Sequence, residues 1–379
     1  MIHLSETMTF EIKEVSTKKE MKRFARFPLQ LYKNHPQYVP SLVGDEIKSI
    51  WNSPSLNYCQ QKAWIAYNNR NKVIGRIVGI VNPRANELYG YKRIRFGWFD
   101  VVDDFSVAEA LLKTVINWGA GLGMTEIHGP LGYNTWNKQG MMIEGFERIP
   151  QFNCIYNYPY YPKFLERMGF AKELDWLQYI MPAQQPVPDK IERINSLIMK
   201  KYDLRLLKWK GFKDIEPYLD DFFSMYNDSF MTVSNFIPLL PEEIEAGLKM
   251  YIKLLDPDLS YFILDSNDKI AAFSISFPSM SQAFRKAGGY LFPFGWFHLL
   301  KGYFFYKDID FMMIGAHPAW KGKGLSSIYH YHTNKTIIKK KLRWAVTNPQ
   351  LENNQAIEIW KEYDKELHTR RRCYLKTIQ

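Results

Sequence analysis

The chain has 379 residues, with 50 Lys and Arg against 39 Asp and Glu, for a formal net charge of +11. Hydrophobic residues make up 46% and aromatics 16%, enough apolar material for packed cores, which excludes global disorder. Cys59, Cys154 and Cys373 lie far apart with no CxxC pair, which argues against a disulfide scaffold or zinc ribbon and for a reducing, cytoplasmic setting.

Taken in chain order, Met1–Phe10 is mixed polar, so no secretory leader is expected. Trp64–Tyr67, the polar turn Asn68–Lys72 and Val73–Val81 predict a hairpin. Arg95–Val102 is apolar and short enough for a strand. The periodicity of Val107–Gly121 predicts a helix, and Thr125–His128 another strand. A long loop, Gly129–Tyr161, rich in glycine and aromatics, suits a lid or substrate wall, or a packed connection. A helix over Pro162–Met168 and a strand over Leu177–Met181 close the first half. Gln184, Gln185, Pro186 and Pro188 mark a linker before a helix-like run, Asp189–Lys201.

The second half repeats this order. Tyr261–Leu264, the turn Asp265–Lys269 and Ile270–Phe277 predict a hairpin. Ile309–Ala316 predicts a strand, Leu325–Lys340 a helix, and Trp344–Thr347 a strand. Ala356–Tyr363 predicts a helix, and Cys373–Ile378 a last strand. The repeated hairpin–strand–helix–strand–helix–strand order predicts two tandem α/β domains, residues 1–182 and 183–379.

The segment with the sharpest chemistry runs from Ile314 through Ala316, His317, Lys321, Gly322, Lys323, Gly324 and Leu325 to Ser326. A strand ends, a turn with two glycines and two lysines follows, and a helix begins. A helix start offers free N–H groups and the positive end of a dipole. Glycines let that backbone approach a phosphate. A pyrophosphate is the expected guest; the competing reading is a lysine-rich surface turn. The spacing is neither a Walker A loop nor a dinucleotide fingerprint, which would need a third glycine at Ser327.

The turn resembles motif A of the GNAT superfamily of N-acyltransferases, [QR]-x-x-G-x-[GA]. Lys321 stands in the Gln/Arg position and Ser326 in the last small position. Asn353-Asn354-Gln355-Ala356-Ile357-Glu358-Ile359-Trp360 resembles N-x-x-A-x-x-L-Y of motif B, with Trp360 in the tyrosine slot. Phe164–Phe170 resembles the L-Y-E-K-x-G-F ending in the first half, with Leu165 in its tyrosine slot. The whole resembles bacterial tandem-GNAT proteins, which implies two GNAT-like domains, each a twisted mixed sheet flanked by helices.

The resemblance implies an acyl-CoA co-substrate, acetyl-CoA or longer, in the second half. Lys321–Ser326 and Asn353 would hold it, with the main chain of Ile314 and Ala316 pairing with pantetheine. It implies a base at Asp310, with His317 as second candidate. The thiolate's proton donor would have to be Tyr363 or Tyr329, because Trp360 cannot act as one. His330 and His332 stand at i and i+2, on different sides of a helix, so no metal is expected. The first half has Asp100, Asp103 and Asp104 at the equivalent turn. These make good caps but repel a pyrophosphate, so that domain is expected to lack the co-substrate.

Two features lie outside the motifs. Tyr290–Tyr306 is the most apolar stretch but, at 17 residues with His298 and Lys301, is short of a bilayer span of about 20. Packing between domains, a tunnel for a long acyl chain and peripheral contact with a membrane surface are its readings. Residues 335–379 carry eleven Lys/Arg and five Asp/Glu, a solvated basic face or an anion dock. Nucleic acid is not an expected partner, since no nucleic-acid motif accompanies the charge. The first expectation is therefore an acyl-CoA-dependent N-acyltransferase acting on a small-molecule or lipid amine, a sphingoid-type amine among them. A non-catalytic binding protein of the same fold and a basic adaptor are its rivals.

Overall fold

A computed structural model describes residues 9–186, 189–231, 233–354, 357, 360–361 and 363–378. Two compact units divide the chain. The N-terminal unit comprises Met1–Asp175, Ala287–Gly295 and Arg371–Gln379; the C-terminal unit comprises Trp176–Lys286 and Trp296–Arg370. The linker expected around residue 182 thus follows the strand in which the chain first passes between units.

In the N-terminal unit the strands are β1 (Phe10–Glu14), β2 (Gln60–Asn68), β3 (Val73–Val81), β4 (Arg93–Val101), β5 (Glu126–Gly129), β6 (Met141–Glu144) and the start of β7 (Ala171–Pro182). β1 to β4 form an antiparallel ladder in chain order, and β5 adds to β4 in parallel. The C-terminal strand Glu366–Thr377 pairs antiparallel with β5, Tyr374 opposite Gly129. Helix α1 (Lys18–Leu31) starts at a capping box in which Glu20 accepts from Thr17 N and Glu20 N donates to Thr17 Oγ1. Helix α2 (Phe105–Gly121) is capped by Asp104, which accepts from Ser106 N at 2.8 Å. Its buried Leu111, Leu112 and Val115 share one core with Ile77, Ile94 and Phe96 of the sheet.

Helix α3 (Tyr160–Arg167) precedes β7. The C-terminal unit then builds helices α4 (Asp189–Lys201) and α5 (Leu219–Phe230), and strands β8 (Arg205–Leu206), β9 (Tyr261–Leu264) and β10 (Ile270–Pro278). After helix α6 (Gly295–Phe304) come β11 (Asp308–Ala316), helix α7 (Ser326–Lys340), β12 (Trp344–Val346), β13 (Gln350–Leu351) and β14 (Glu366–Thr377). β8 to β11 are antiparallel neighbours in chain order, β12 lies parallel to β11, and β7 pairs antiparallel with both β12 and β13. Ile309, Phe311, Ile337, Ala345 and Trp360 form one core. Ile263, Ala272, Leu325 and Ile328 form a second. The expected helix Ala356–Tyr363 contains residues 356, 358, 359 and 362, which lie outside the described residues.

The two units repeat an irregularity that sequence reading missed. In β4 the register slips so that Arg76 faces Asp100 while Val78 faces Gly97. In β11, Ile275 faces Met313 while Ser276 faces Phe311, which leaves Met312 as an extra residue. Each is a β-bulge, and each lies on the strand that precedes a long helix.

Candidate active site

The parallel pairing of β11 with β12 covers only Asp308, Ile309 and Asp310. Beyond Asp310 the two strands part. From Phe311 to Ala316, β11 therefore has a strand neighbour on its β10 edge alone among the described residues. The bulge at Met312 falls where the parting begins. Asp310 is the last paired residue, opposite Val346, and is 1% exposed.

The end of β11 is held by groups distant in sequence. Ser229 Oγ of α5 donates to Ala316 O at 2.8 Å, and His317 N donates to Ala271 O at 2.9 Å. The His317 ring turns back on its own chain: Nδ1 accepts from Ala319 N at 3.2 Å and caps the short turn Pro318–Trp320. Ile314 faces Ser274 on β10.

Next comes the glycine–lysine bend. Gly322 and Gly324 have φ of +74° and +79°, a conformation costly for a residue with a Cβ. Leu325 is buried against Ala271, Ala272 and Ile328, which pins the helix start to the sheet. The N–H groups of Gly322, Gly324, Leu325 and Ser326 have no main-chain acceptor among the described residues. Four N–H donors without an acceptor among the described residues, beside two exposed lysines, suit an anionic oxygen cluster. The Lys323 ammonium lies over the Trp320 ring, 4.4 Å from its centroid, and 5.4 Å from that of Tyr202.

A second group of residues packs behind β11. Trp360 is fully buried, packs tilted against Phe311 with ring centroids 5.2 Å apart, and its Nε1 donates to Gln350 Oε1 at 3.0 Å. His330 of α7 sits edge-on to Trp360 at 5.5 Å. Its Nδ1 lies 3.3 Å from Tyr363 Oη, and its Nε2 is buried with no hydrogen-bond partner among the described residues. Burial pushes the imidazole down to about 4. Burial likewise raises the Tyr363 phenol above its ordinary value. For Tyr329 burial is the largest effect, and it outweighs the hydrogen bond to Ser326 that favours the phenolate. Asn353 is exposed in the turn after β13. The structure thus gathers His330, Trp360 and Tyr363 into one cluster and keeps Lys321–Ser326 as one continuous bend. Ser229, Gln350 and the orphaned His330 Nε2 escaped sequence reading, since nothing local marks them.

The N-terminal unit treats the equivalent strand end differently. Tyr161 Oη accepts from Val101 N at 2.8 Å, and Tyr160 Oη donates to Val101 O at 2.7 Å. Two side chains thus take the main-chain groups at the end of β4. Nearby, Arg76 donates to Asp100 at 2.7 Å and to Glu46 at 2.9 Å, and Tyr32 Oη donates to Asp100 at 3.0 Å. Elsewhere in that unit His128, Glu173 and Cys373 bring ligand-type atoms within 4.8 Å of one another. Burial pushes Glu173 up, but hydrogen bonds from His128 and Cys373 and the Arg93 charge outweigh it and hold the carboxyl at about 2. Glu173 is ion-paired with Arg93 at 2.6 Å, and His128 Nε2 has no hydrogen-bond partner among the described residues.

A sheet whose bulged strand parts from its parallel neighbour and leads into a long helix, built twice, is the tandem-GNAT fold; only the second copy has glycines at that helix start. A tandem GNAT protein from the clavulanic acid biosynthesis pathway superposes with a TM-score of 0.57 at 10% identity, covering 98% of this chain and 99% of that one. Protein YghO of Escherichia coli K12 is 27% identical over 285 residues, 75% of this chain and 72% of that protein. A bacterial ceramide synthase of Caulobacter vibrioides is 22% identical over 304 residues, 76% of this chain and 74% of that protein. No family model matches the chain.

Proposed function

We propose that the protein is an acyl-CoA-dependent N-acyltransferase whose C-terminal unit holds the co-substrate. The observation that carries this reading is the bend at Gly322–Ser326, with four unclaimed N–H groups at the start of α7, directly after a strand whose edge is open from Phe311 onward. The pyrophosphate would lie on the bend, with Lys321 beside it. The pantetheine would run along the open edge of β11. Acyl transfer is in keeping with the fold and with a relative named for ceramide synthesis. We take the acyl group to be long and the acceptor to be a lipid amine.

In the reaction the amine nitrogen attacks the thioester carbonyl carbon. A C–N bond forms, the C–S bond breaks, and the thiolate leaves with the electron pair. The attacking amine must shed a proton and the thiolate must gain one. Asp310, at the point where β11 and β12 part, would accept the amine proton through a water molecule. Tyr363 would supply the thiolate's proton; Trp360 is committed to Gln350. The N-terminal unit would not bind CoA, because Tyr160 and Tyr161 already occupy Val101.

Calorimetry with CoA tests the first claim. Binding is expected for the native chain and lost in Gly324→Glu, which sets a carboxylate on the bend. Free-thiol release from palmitoyl-CoA and acetyl-CoA with a panel of amines tests the second. The buried Trp360 in the tyrosine slot favours a second reading, a protein that binds acyl-CoA without turning it over. Binding with no thiol release under any amine would select it. Absence of CoA binding would overturn both.

A further inference from the structure

Between Lys269 and Lys307 the chain contains no Asp or Glu, but it contains Lys269, Arg285, Lys286, Lys301 and Lys307. Helix α6 lies in this acid-free stretch. Its inner side is fixed: a Cβ on Gly302 would come within 2.6 Å of Ala283 Cβ, and Tyr303 Oη donates to Leu255 O at 2.9 Å. Its outer side is apolar and open. Trp296, Phe297, Leu300 and Phe304 fall at i, i+1, i+4 and i+8, on one face of a helix, and Phe305 follows. Phe304 is 67% and Phe305 74% exposed, and Trp296, Phe297 and Leu300 are each more than two-fifths exposed. Lys301 stands on the same face, exposed. Tyr290, Leu291, Phe292 and Phe294, counted with the N-terminal unit, are exposed as well.

Single exposed apolar side chains need no explanation, but five on adjoining positions of one short element do. We infer that α6 is a membrane-docking helix, which seats the C-terminal unit on an anionic lipid bilayer. Two observations select a lipid surface over a protein partner. The face mixes bulky aromatics, including a Trp with its polar N–H, with a lysine whose stem can lie along the apolar layer and whose ammonium reaches the headgroups. The charge along the 39 residues of chain that carry it is of one sign, and Asp256, which lies near its C-terminal end, is paired with Lys340, so the segment complements an anionic leaflet. No helix among the described residues is long and apolar enough to cross a membrane, so α6 would lie in the interface. This inference stands apart from acyl transfer and needs no bound CoA.

The test is co-sedimentation of the full chain with vesicles of phosphatidylglycerol and phosphatidylethanolamine, and with vesicles of phosphatidylcholine alone. The native chain is expected to pellet with the anionic vesicles and to be released by salt. Phe304→Ser with Phe305→Ser should weaken partition at least about tenfold. Lys301→Gln should weaken it about fivefold on anionic vesicles and not on phosphatidylcholine. Brominated lipid should quench native fluorescence more than that of Trp296→Phe. All three variants change exposed residues, and unaltered circular dichroism and melting will show that they fold. Two results overturn the inference. One is a native chain that stays in the supernatant with anionic vesicles. The other is sedimentation velocity showing a dimer that Phe304→Ser with Phe305→Ser dissociates, because a second copy would then cover the face.

Discussion

Trp360 Nε1 donates to Gln350 Oε1 at 3.0 Å, and both side chains are buried. The residue in motif B's tyrosine slot is therefore a structural anchor of the C-terminal unit. Trp360→Phe should leave Gln350 Oε1 buried and unpaired and open a small void beside Phe311. The expected loss is about 2–4 kcal/mol, measured as a shift of the urea midpoint. Under the proposed mechanism its thiol-release rate at saturation, at a temperature where the variant is folded, should stay within about threefold of native. A larger drop would mean that Trp360 helps to position the reacting groups.

Gly324 carries φ of +79°, and a Cβ there would come within 2.6 Å of Ile198 Cδ1 on α4. Gly324→Ala should cost about 1–2 kcal/mol, most of it from the backbone conformation, since the tip of Ile198 can swing away. CoA affinity should fall with it, because the N–H groups of the bend change direction. Calorimetry at a temperature where both forms are folded separates the two effects.

His330 predicts acid sensitivity. Its imidazole is held at about 4 by burial, against an ordinary value of 6.5. The unfolded chain takes up a proton near pH 6.5 and the folded chain only near 4. His330 therefore leaves stability intact above pH 6.5 and erodes it as pH falls from 6.5 towards 4, by on the order of 3 kcal/mol in total. Urea titrations at pH 7, 5.5 and 4 should show this slope, and His330→Phe should flatten it. An unchanged slope in the variant would place the titrating group elsewhere.

Asp310→Asn keeps the shape of the side chain and removes its basicity. Thiol release should fall by about 10²- to 10⁴-fold while CoA affinity is unchanged. Equal activity in the variant would remove Asp310 from the mechanism and leave it a buried strand residue.

In the N-terminal unit, Arg76 is the shared counter-ion of Asp100 and Glu46. Arg76→Ala should cost about 3–5 kcal/mol, because it strands two carboxylates in a buried site. Arg76→Ala combined with Asp100→Asn should recover part of that loss, as read from the midpoint of the N-terminal unit's transition.

Much of the fold was legible before any coordinates. The hairpin Trp64–Val81, the helix after Asp104 and the bend at Lys321–Ser326 each announce themselves within about twenty residues, through alternation, capping acids or glycines between lysines. The aromatic stretch at 290–306 was legible as apolar, but whether it packs or faces water was not, since composition does not say which neighbours arrive. The roles at the strand end were the least legible. Ser229 stands 87 positions from the Ala316 carbonyl it caps, and His317, chemically capable of more, spends its Nδ1 on the turn beside it.

The sequence by itself determined that the chain builds one α/β plan twice and that one of the two strand–helix junctions is cationic and rich in glycine. Those properties reside in periodicity and in residue types close along the chain. Only the tertiary structure decided where β11 bulges and parts from β12, that Tyr160 and Tyr161 take the Val101 main chain, and that His330 is buried against Trp360. Such outcomes depend on which distant groups meet. A hydrogen bond or a desolvated ring becomes favourable or costly only when folding brings its partner, or removes its water.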